Sequence, residues 1–572
     1  MSFLQYEYVR PNKETIEQKF KSGIEKFNTA STFEEQEGAM HEINNLRNEV
    51  SSMLQIAYVR HTIDTTDTFY KEEKDFLDGF SPILQSFTMK YYRALVASTF
   101  RNELEAKYGE QIFNLAECQL KTFNDDIIED LQQENRLVSH YTSLIASAKI
   151  PFNGEEYTLA QLKPFLEVDG RDVRKEALQA HTNFFVDNKQ ELDETYDKLV
   201  KLRTSIAKKL GFDSFVELGY ARMRRTDYNR DMVANFRKQV ETFIVPITMK
   251  LKERQRERIG VDTLYYYDSD YNFPNGNATP KGDPEWIVQN AAEMYKELSP
   301  ETDEFFRSMI DNDLMDLVAK KGKASGGYCT YFSAYKVPFI FSNFNGTSGD
   351  IDVLTHEAGH AFQKFCSRHF VIPEYAGPTS ESAEIHSMSM EFFTYPWMDK
   401  FFQEETDKYY FEHLSSGLLF LPYGVAVDEF QHRMYDEPNL TPDERHAVWR
   451  EIEKKYLPHR QYDNNEYLEN GGFWQRQLHI YKYPFYYIDY TLAQICALQF
   501  WKKMQENQEE AWNDYLKLCS EGGSKSFLKL VSGANLLSPF DDGTVESVVG
   551  VIEDYLNTVD DKKLGTENIT TN

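Results

Sequence analysis

The stretch DVLTHEAGHAFQKF, residues 352–365, places two histidines four positions apart, with a glutamate directly after the first of them. The chain holds 13 histidines and 92 acidic residues among its 572 positions, and composition alone predicts only about 0.05 occurrences of this pattern. Ser348 or Asp350 is a suitable N-cap, and the residues that follow, as far as Phe370, predict a helix. The stretch is therefore a candidate metal site carried on a helix.

Helical geometry assigns different roles to the three polar residues of this motif. Residues four apart on an α-helix differ by about 40° around its axis, so His356 and His360 face the same way and suit two imidazole ligands of one ion. Glu357 is rotated by about 100° and cannot join them as a third ligand. It can reach a water molecule beside the ion, which is the position of a general base.

A catalytic zinc ion usually takes three protein ligands, so a third ligand is expected elsewhere in the chain. In GPTSESAEIHSMSMEFF, residues 377–393, the side chains of Glu381, Glu384 and Glu391 fall on one side of a predicted helix. Three carboxylates on one face repel one another unless a cation lies among them. A solvated acidic stripe is the alternative, but the neighbours are typical of a core: Met388, Met390, Phe392 and Phe393. We predict Glu384 as the third ligand, with Glu381 as the second choice.

Most of the remaining sequence predicts helices. Apolar residues recur three and four positions apart through residues 13–60 and 70–148, which predicts a helical bundle or lobe in the N-terminal third. Residues 326–349 are the best strand candidates because they are rich in aromatic and β-branched side chains and end in turn residues. We expect a mainly α fold with a small β-sheet just before the histidine motif.

Charge and composition restrict the possible partners. The formal net charge of −29 repels phosphate backbones and anionic headgroups, so neither nucleic acid nor a membrane surface is expected as a partner. No basic and then apolar leader opens the chain, and no run of about 18 uncharged apolar residues occurs. The five cysteines are scattered without CxxC spacing, which is typical of free thiols in a reducing cytosol. We expect a soluble cytoplasmic protein.

A family resemblance is visible in the two motif segments. HEAGHAFQ at residues 356–363, followed by PTSESAEIHSMSMEFF, resembles the active-site block of the oligoendopeptidase F and thimet oligopeptidase family of zinc metallopeptidases, nearest its bacterial oligoendopeptidase or Pz-peptidase branch. The similarity continues through residues 326–357 and 479–494. It implies one zinc ion per chain, bound by His356, His360 and Glu384. It also implies a two-lobed helical zincin with a deep central channel that admits short peptides.

A tyrosine-rich block near the C-terminal end supplies further candidates. Tyr483, Tyr487 and Tyr490 are spaced to share one face of a helix, a pattern that is equally typical of amphipathic packing. In the family that the chain resembles, a matching block of histidine and tyrosine contacts the substrate carbonyl oxygen as it becomes an oxyanion. The resemblance implies that role for Tyr490 and Tyr483, with His479 as the imidazole, although the spacing from histidine to tyrosine differs by one residue from the long-chain branch.

The function predicted from these features is zinc-dependent hydrolysis of internal bonds in short oligopeptides. Glu357 takes a proton from the attacking water, and Tyr490 and His479 stabilise the oxyanion. One alternative is a metallocarboxypeptidase on a related helical scaffold, which would need a cationic group to hold the free C-terminus. The other is a non-enzymatic protein that binds peptides or stores metal, which Glu357 disfavours because it occupies the position of a hydrolytic base.

Several structural details are expected as well. We divide the chain into an N-terminal helical region (1–200), a catalytic region (201–558) and a frayed tail (559–572). Substrate backbone is expected to pair with an edge strand in residues 339–346. Gly359, inside the motif helix, predicts close approach of the helix that carries Glu384. Asp352 and Glu391 are expected to accept hydrogen bonds from the ring N–H groups of the ligand histidines.

Overall fold

The structure, a computed structural model, describes residues 1–566, and it is mainly helical with a small sheet before the histidine motif, as predicted, and a second, two-stranded sheet that was not predicted. The helices that precede the histidine motif are α1 (Lys13–Thr29), α2 (Phe33–Ile63), α3 (Thr68–Val96), α4 (Arg101–Tyr108), α5 (Gln111–Leu120), α6 (Ile128–Ala146), α7 (Arg171–Asp187), α8 (Lys189–Lys209), α9 (Phe215–Arg222), α10 (Arg230–Gln239), α11 (Val245–Arg258), α12 (Pro284–Leu298) and α13 (Pro300–Asp311). The later helices are α14 (Gly349–Cys366), α15 (Ser380–Phe393), α16 (Asp399–Phe402), α17 (Thr406–Asp436), α18 (Pro442–Tyr456), α19 (Glu466–Glu469), α20 (Leu478–Lys482), α21 (Tyr487–Glu506), α22 (Gln508–Glu521), α23 (Phe527–Gly533), α24 (Thr544–Thr558) and α25 (Asp561–Leu564). The strands are β1 (Ile150–Phe152), β2 (Glu155–Tyr157), β3 (Met315–Val318), β4 (Tyr328–Phe332) and β5 (Val337–Phe344).

Within residues 1–566, no helix combines the length and the apolar character that are needed to cross a bilayer.

The motif helix α14 begins where the sequence predicts it. Ser348 is the N-cap residue, but its side chain makes no capping hydrogen bond. The carboxylate of Asp350 instead accepts hydrogen bonds from the backbone N–H groups of Asn345 (2.9 Å) and Gly346 (2.8 Å). These contacts fix the turn between β5 and α14, so the sheet and the motif helix are held in a defined relation.

The three-stranded sheet corrects one expectation. Its strand order is β3-β5-β4, with β5 parallel to β3 and antiparallel to β4. The expectation of an edge strand in residues 339–346 is therefore wrong, because β5 is the central strand. Its residues Phe339, Ile340 and Phe341 are all at most 1% exposed, and such a continuous apolar run is typical of a strand buried on both faces. β4 is an edge strand of this sheet.

The N-terminal helices enclose a hydrophobic cluster of their own. Phe20, Phe27 and Phe113 are buried in this cluster, and Ile372 and Tyr375, which follow α14, complete it. The larger cluster runs from the N-terminal segment to α24. The N-terminal helices are thus packed directly against a segment of the predicted catalytic region.

A buried ion pair reinforces that packing. Arg47 of α2 pairs with Glu374, and the phenol of Tyr92 donates to the same carboxylate. The larger cluster also contains Leu199 and Ile206, which lie on either side of the predicted boundary at residue 200. That boundary stays a prediction.

The part of the C-terminal tail within the described residues is ordered. Residues 561–564 form α25, and Asp561 is 6% exposed. Arg254 donates to Asp561 at 2.7 Å, and Arg258 pairs with the same carboxylate. The expectation of a frayed tail is wrong for residues 559–566, because two arginines of α11 hold this segment. Residues 567–572 lie outside the described part of the chain.

Candidate metal centre and active site

The two helices that carry the predicted ligands lie in close contact. A Cβ atom on Gly359 of α14 would be 2.5 Å from the carbonyl oxygen of His386 and 2.7 Å from the Cα atom of Ser387, both on α15. Only glycine permits this approach, so the predicted packing reason for Gly359 is confirmed. The contact brings Glu384 of α15 beside the histidines of α14.

The three predicted ligands converge on one point. Glu384 Oε2 lies 3.3 Å from His356 Nε2 and 3.4 Å from His360 Nε2. One ligand atom from each residue falls within 4.8 Å of the other two. Two imidazoles and one carboxylate are the donor set of many catalytic zinc sites. Burial alone would raise the pKa of Glu384, but the imidazole of His360 and then that of His356 hold it well below the usual range. The residues therefore fit a divalent metal ion.

Glu357 lies next to this group without joining it. The side chain is buried, and its Oε2 atom has no hydrogen-bond partner within the described part of the chain. Burial raises the pKa of this carboxyl group. A buried carboxylate oxygen without a protein partner is available to accept a hydrogen bond from a bound water molecule or substrate.

Glu391 orients the first imidazole as predicted. Its Oε1 atom lies 2.7 Å from His356 Nδ1, and its Oε2 atom lies 2.8 Å from His413 Nε2. This contact directs Nε2 of His356 towards Glu384 and leaves it free to bind a metal. The motif pattern does not reveal His413, which comes from α17, far along the chain. A second partner of His413 is the phenol of Tyr395, at 2.6 Å from Nδ1.

The remaining two acidic candidates have other roles. Asp352 makes no hydrogen bond to His356 or His360; it accepts one from the phenol of Tyr409 at 2.7 Å, so its predicted contact with a ligand is wrong. The Nδ1 atom of His356 is taken by Glu391 instead, while Asp352, one turn earlier on α14, faces Tyr409 of α17. Glu381 lies outside the ligand group and accepts from Thr379 Oγ1 at 2.9 Å. Burial and then the charge of Asp489 raise the pKa of Glu381 to about 8.

The tyrosine block is split between two helices. Tyr483 is the C-cap residue after α20, which ends at Lys482, and α21 begins only at Tyr487. Between them Pro484 lacks a backbone N–H, and Phe485 has a left-handed backbone with φ of +66°. The expectation that Tyr483, Tyr487 and Tyr490 share one helical face is therefore wrong. Tyr483 is 45% exposed at the rim of the block.

Tyr490 and His479 nevertheless face one cavity of about 350 Å³, together with Glu391 and His413. The ring centroids of Tyr490 and His479 are 5.9 Å apart. Burial raises the pKa of Tyr490, so its phenol keeps its proton. Burial lowers the pKa of His479 to about 4, which leaves its ring neutral at neutral pH.

Hydrogen bonds define which nitrogen of His479 carries the proton. The phenol of Tyr423 donates to Gln477 Oε1 at 2.7 Å, so the amide nitrogen of Gln477 is the group that faces His479 Nδ1 at 2.8 Å. Nδ1 therefore accepts, and the proton lies on Nε2. His479 is a neutral hydrogen-bond donor.

Tyr486 is a site residue that the sequence pattern missed. Its phenol donates to Glu384 Oε1 at 3.1 Å, and its ring centroid is 5.2 Å from that of Tyr490. The two residues are four positions apart, so a helix begun one residue earlier than Tyr487 would have paired them. The predicted helical face contains Tyr483, Tyr487 and Tyr490, so it leaves out the pairing of Tyr486 with Tyr490.

The turn before α21 is held by distant residues. Arg225 donates to the carbonyl oxygen of Phe485 and, at 2.7 Å, to Asp489 Oδ1. Gln431 Oε1 accepts from the N–H group of Phe485 at 3.1 Å. The Phe485 ring lies where a Cβ atom on Gly219 would be, at 2.5 Å. These contacts fix the position of Tyr486 and Tyr490 relative to Glu384.

Comparisons with known proteins show the family of the chain. Residues 165–549 match Peptidase family M3, and residues 3–123 match the Peptidase M3 N-terminal domain. An oligoendopeptidase F homolog of Borreliella burgdorferi is 22% identical over 461 residues, which cover 75% of this chain and 74% of that protein. A homolog from Mycoplasma genitalium is 21% identical over 421 residues, covering 68% and 66% of the two chains.

Solved structures are similar over nearly the whole chain. The structure of Pz peptidase A with an inhibitor is 64% identical and has a TM-score of 0.94, covering 98% of this chain and all of the other. Oligoendopeptidase F from Enterococcus faecium, at 16% identity and a TM-score of 0.65, covers 96% of this chain and 98% of its own and shares the fold. The match to the family extends over two thirds of the sequence, and so the chain belongs to peptidase family M3 and is a metalloendopeptidase.

Proposed function

We propose that the chain hydrolyses internal bonds of short oligopeptides with one zinc ion held by His356, His360 and Glu384. The observation that supports this best is the convergence of the three ligand atoms within 4.8 Å, with the unpaired carboxylate of Glu357 beside them. When bound there, zinc would polarise the scissile carbonyl group and lower the pKa of a water molecule. The other steps belong to side chains of this protein.

Glu357 is the proposed general base. It accepts a proton from the attacking water and returns it to the leaving amine. Its burial raises the pKa of the carboxyl group, which makes the carboxylate a stronger base than one in water. The fixed position on α14, one residue after His356, keeps this group next to the reacting atoms.

Two neutral donors are placed to stabilise the oxyanion. Tyr490 and His479 line the same cavity as the outer ligand partners Glu391 and His413. The phenol of Tyr490 and the Nε2–H group of His479 can each donate a hydrogen bond without bringing a charge into the site. Tyr486 holds Glu384, and Tyr483, at the exposed rim, is a peripheral substrate contact.

The substrate backbone has a strand available beside the base. A Cβ atom on Gly327, directly before β4, would lie 3.6 Å from Glu357 Oε1. Because β4 is an edge strand, we place the extended peptide along it rather than along β5. Backbone pairing of this kind binds peptides without reading their side chains. The free state of all five cysteines and the net charge of −29 favour the cytoplasm as its location.

One assay tests the proposal and its alternatives. An internally quenched peptide blocked at both ends should be cleaved by the parent protein, whereas a carboxypeptidase or a binding protein would leave it intact. Glu357→Gln should retain one equivalent of zinc and lose nearly all turnover, since the amide cannot accept a proton. His360→Ala should lose most of its zinc. Full zinc content in His360→Ala, or turnover of Glu357→Gln within tenfold of the parent, would contradict the assignment.

A further inference from the structure

A second cavity adjoins the active site. Tyr487 lines the cavity of Tyr490 and His479 and also a neighbouring cavity of about 330 Å³. We call the second one the arginine chamber, after the two arginines in its wall. The lining residues used below are Asp270, Tyr423, Arg460, Phe473, Arg476 and Tyr487. Tyr487 therefore belongs to the walls of both cavities.

The arginine chamber lies within reach of a short peptide held at the metal. The ring of His479 is 5.0 Å from that of Tyr487, which is 5.8 Å from that of Tyr423. The guanidinium carbon of Arg460 is 5.7 Å from the ring of Tyr423. The ring of Tyr423 is also 6.0 Å from that of Phe473, on which Arg476 lies. The path from His479 to Arg476 therefore measures at most about 22 Å, the length of about six extended residues.

Both arginines lie against the ring of Phe473, but they differ in their acidic partners. Their guanidinium groups lie 4.2 Å (Arg460) and 4.7 Å (Arg476) from the centre of the Phe473 ring. Arg460 is already paired, at 3.0 Å, with the fully buried carboxylate of Glu453. Arg476 is exposed to the chamber, and no carboxylate in residues 1–566 forms an ion pair with it. Asp270, the acidic residue that lines the chamber, forms no ion pair with Arg476 either.

We propose that Arg476 binds the C-terminal carboxylate of the peptide substrate, a few residues beyond the scissile bond on the leaving-group side. This inference rests on the proposed function and adds a substrate class to it, namely short peptides with a free C-terminus. A planar guanidinium group forms paired hydrogen bonds with a carboxylate, and the rings of Phe473 and Tyr487 offer an apolar surface to the last side chain. A carboxypeptidase needs its cation beside the scissile bond. Here the cation lies up to several residues away, which suits cleavage inside a peptide anchored at its end.

The test uses two internally quenched peptides of one sequence, with both labels on side chains. One ends in a free carboxylate, and the other ends in a carboxamide. The parent protein should cleave the acid with a kcat/KM about tenfold above that of the amide, mainly through a lower KM, because the anchor is remote from the reacting atoms. Arg476→Gln should cleave the acid at the rate of the amide, and its rate on the amide should stay within twofold of the parent.

Two further variants serve as controls. Arg476→Lys keeps the charge but loses the paired geometry, so its preference for the acid should be intermediate. Arg136→Gln alters an exposed arginine of α6 whose contact is Gln133, and it should keep the full preference. Raising the salt concentration should reduce the parent's preference, since the guanidinium group is exposed.

Three results would overturn this inference. They are equal kcat/KM of the parent on both peptides, an acid preference that survives in Arg476→Gln, and an equal loss on both peptides in that variant. With any of these three results, cleavage of the amide by the parent would still support the proposed endopeptidase function. If the parent cleaved neither peptide, the proposed function would fail, and the inference would fail with it.

Discussion

The phenol of Tyr486 donates a hydrogen bond to Glu384 Oε1 at 3.1 Å, while Oε2 of the same carboxylate lies 3.3 Å and 3.4 Å from the two imidazoles. One oxygen of the proposed third ligand is thus held by the tyrosine block, and the other faces the two imidazoles. The block that contains the proposed oxyanion donors is therefore in direct contact with the proposed metal ligands.

Because Tyr486 contacts the carboxylate of Glu384, substitutions of Tyr486 and Tyr490 should have different effects. Tyr490→Phe removes a donor that acts mainly in the transition state, so kcat should fall by about 10² to 10³ with little change in KM or zinc content. Tyr486→Phe removes the support of a ligand, so zinc should be lost at about tenfold lower chelator concentration. Kinetics at matched zinc content, together with chelator titration, measure both effects.

The exposed Tyr483 provides the comparison for these variants. Because it is 45% exposed at the rim, Tyr483→Phe should change kcat by a much smaller factor than Tyr490→Phe. Equal, near-parental kcat in Tyr483→Phe and Tyr490→Phe would return the block to a packing role.

Glu391 should contribute to metal affinity rather than to the chemical step. It accepts from His356 Nδ1 at 2.7 Å and lies 2.8 Å from His413 Nε2. Glu391→Gln should weaken zinc binding by about 10- to 100-fold, and excess zinc should restore most of the turnover. A chelator competition assay measures the affinity. Unchanged affinity, or turnover that excess zinc does not restore, would show that Glu391 has a different role.

The predictable part of the site is the part that depends on local spacing. His356, Glu357 and His360 lie within five residues of one helix, and the rotation per residue fixes their relative directions. Glu384 follows from the need for a third ligand and from the family resemblance. Gly359 signals the close packing of the two helices, because glycine within a helix needs a reason.

The unpredicted part depends on contacts between distant segments. The central position of β5 results from pairing with β3 as well as β4, and a strand's own sequence does not name its partners. The turn at Phe485 depends on Arg225, 260 positions earlier in the chain. The sequence alone does not show this turn, so one continuous helix through Tyr483, Tyr487 and Tyr490 is the simplest prediction. That helix does not place Tyr486 at the site.

Close packing at Gly359 can be tested by adding one methyl group. Gly359→Ala would place Cβ 2.5 Å from the His386 carbonyl oxygen and force α14 and α15 apart. We expect a loss of about 1–3 kcal/mol of stability and weaker zinc binding. Gly550→Ala is the matched control, since no atom lies within 4 Å of its added Cβ on α24. It should gain up to about 1 kcal/mol from helix propensity. Thermal unfolding that ranks the variants in the opposite order would contradict this account.

The buried pair between Arg47 and Glu374 predicts a pH-dependent contribution to stability. Burial alone would raise the pKa of Glu374, but Arg47 and then Tyr92 hold it below its usual value of 4.5. A depressed folded-state pKa stabilises the protein above the unfolded pKa, and this contribution is lost as the pH falls through the folded pKa. Glu374→Gln should cost about 3–5 kcal/mol at pH 7, because it leaves Arg47 without its counter-charge in a buried site.

The difference between the parent and Glu374→Gln should therefore be constant from pH 7 down to about pH 5 and shrink at lower pH. Denaturant unfolding of both proteins, stripped of metal so that pH-dependent metal binding does not contribute, measures this difference. Glu42→Gln is the control, since Glu42 lies on the same helix as Arg47 and pairs with Lys26 while both side chains are more than half exposed. It should cost less than about 1 kcal/mol at any pH. A Glu374→Gln penalty that is as small as the control's, or one that grows as the pH falls, would show that the ion pair does not join the N-terminal helices to the catalytic region in the way described.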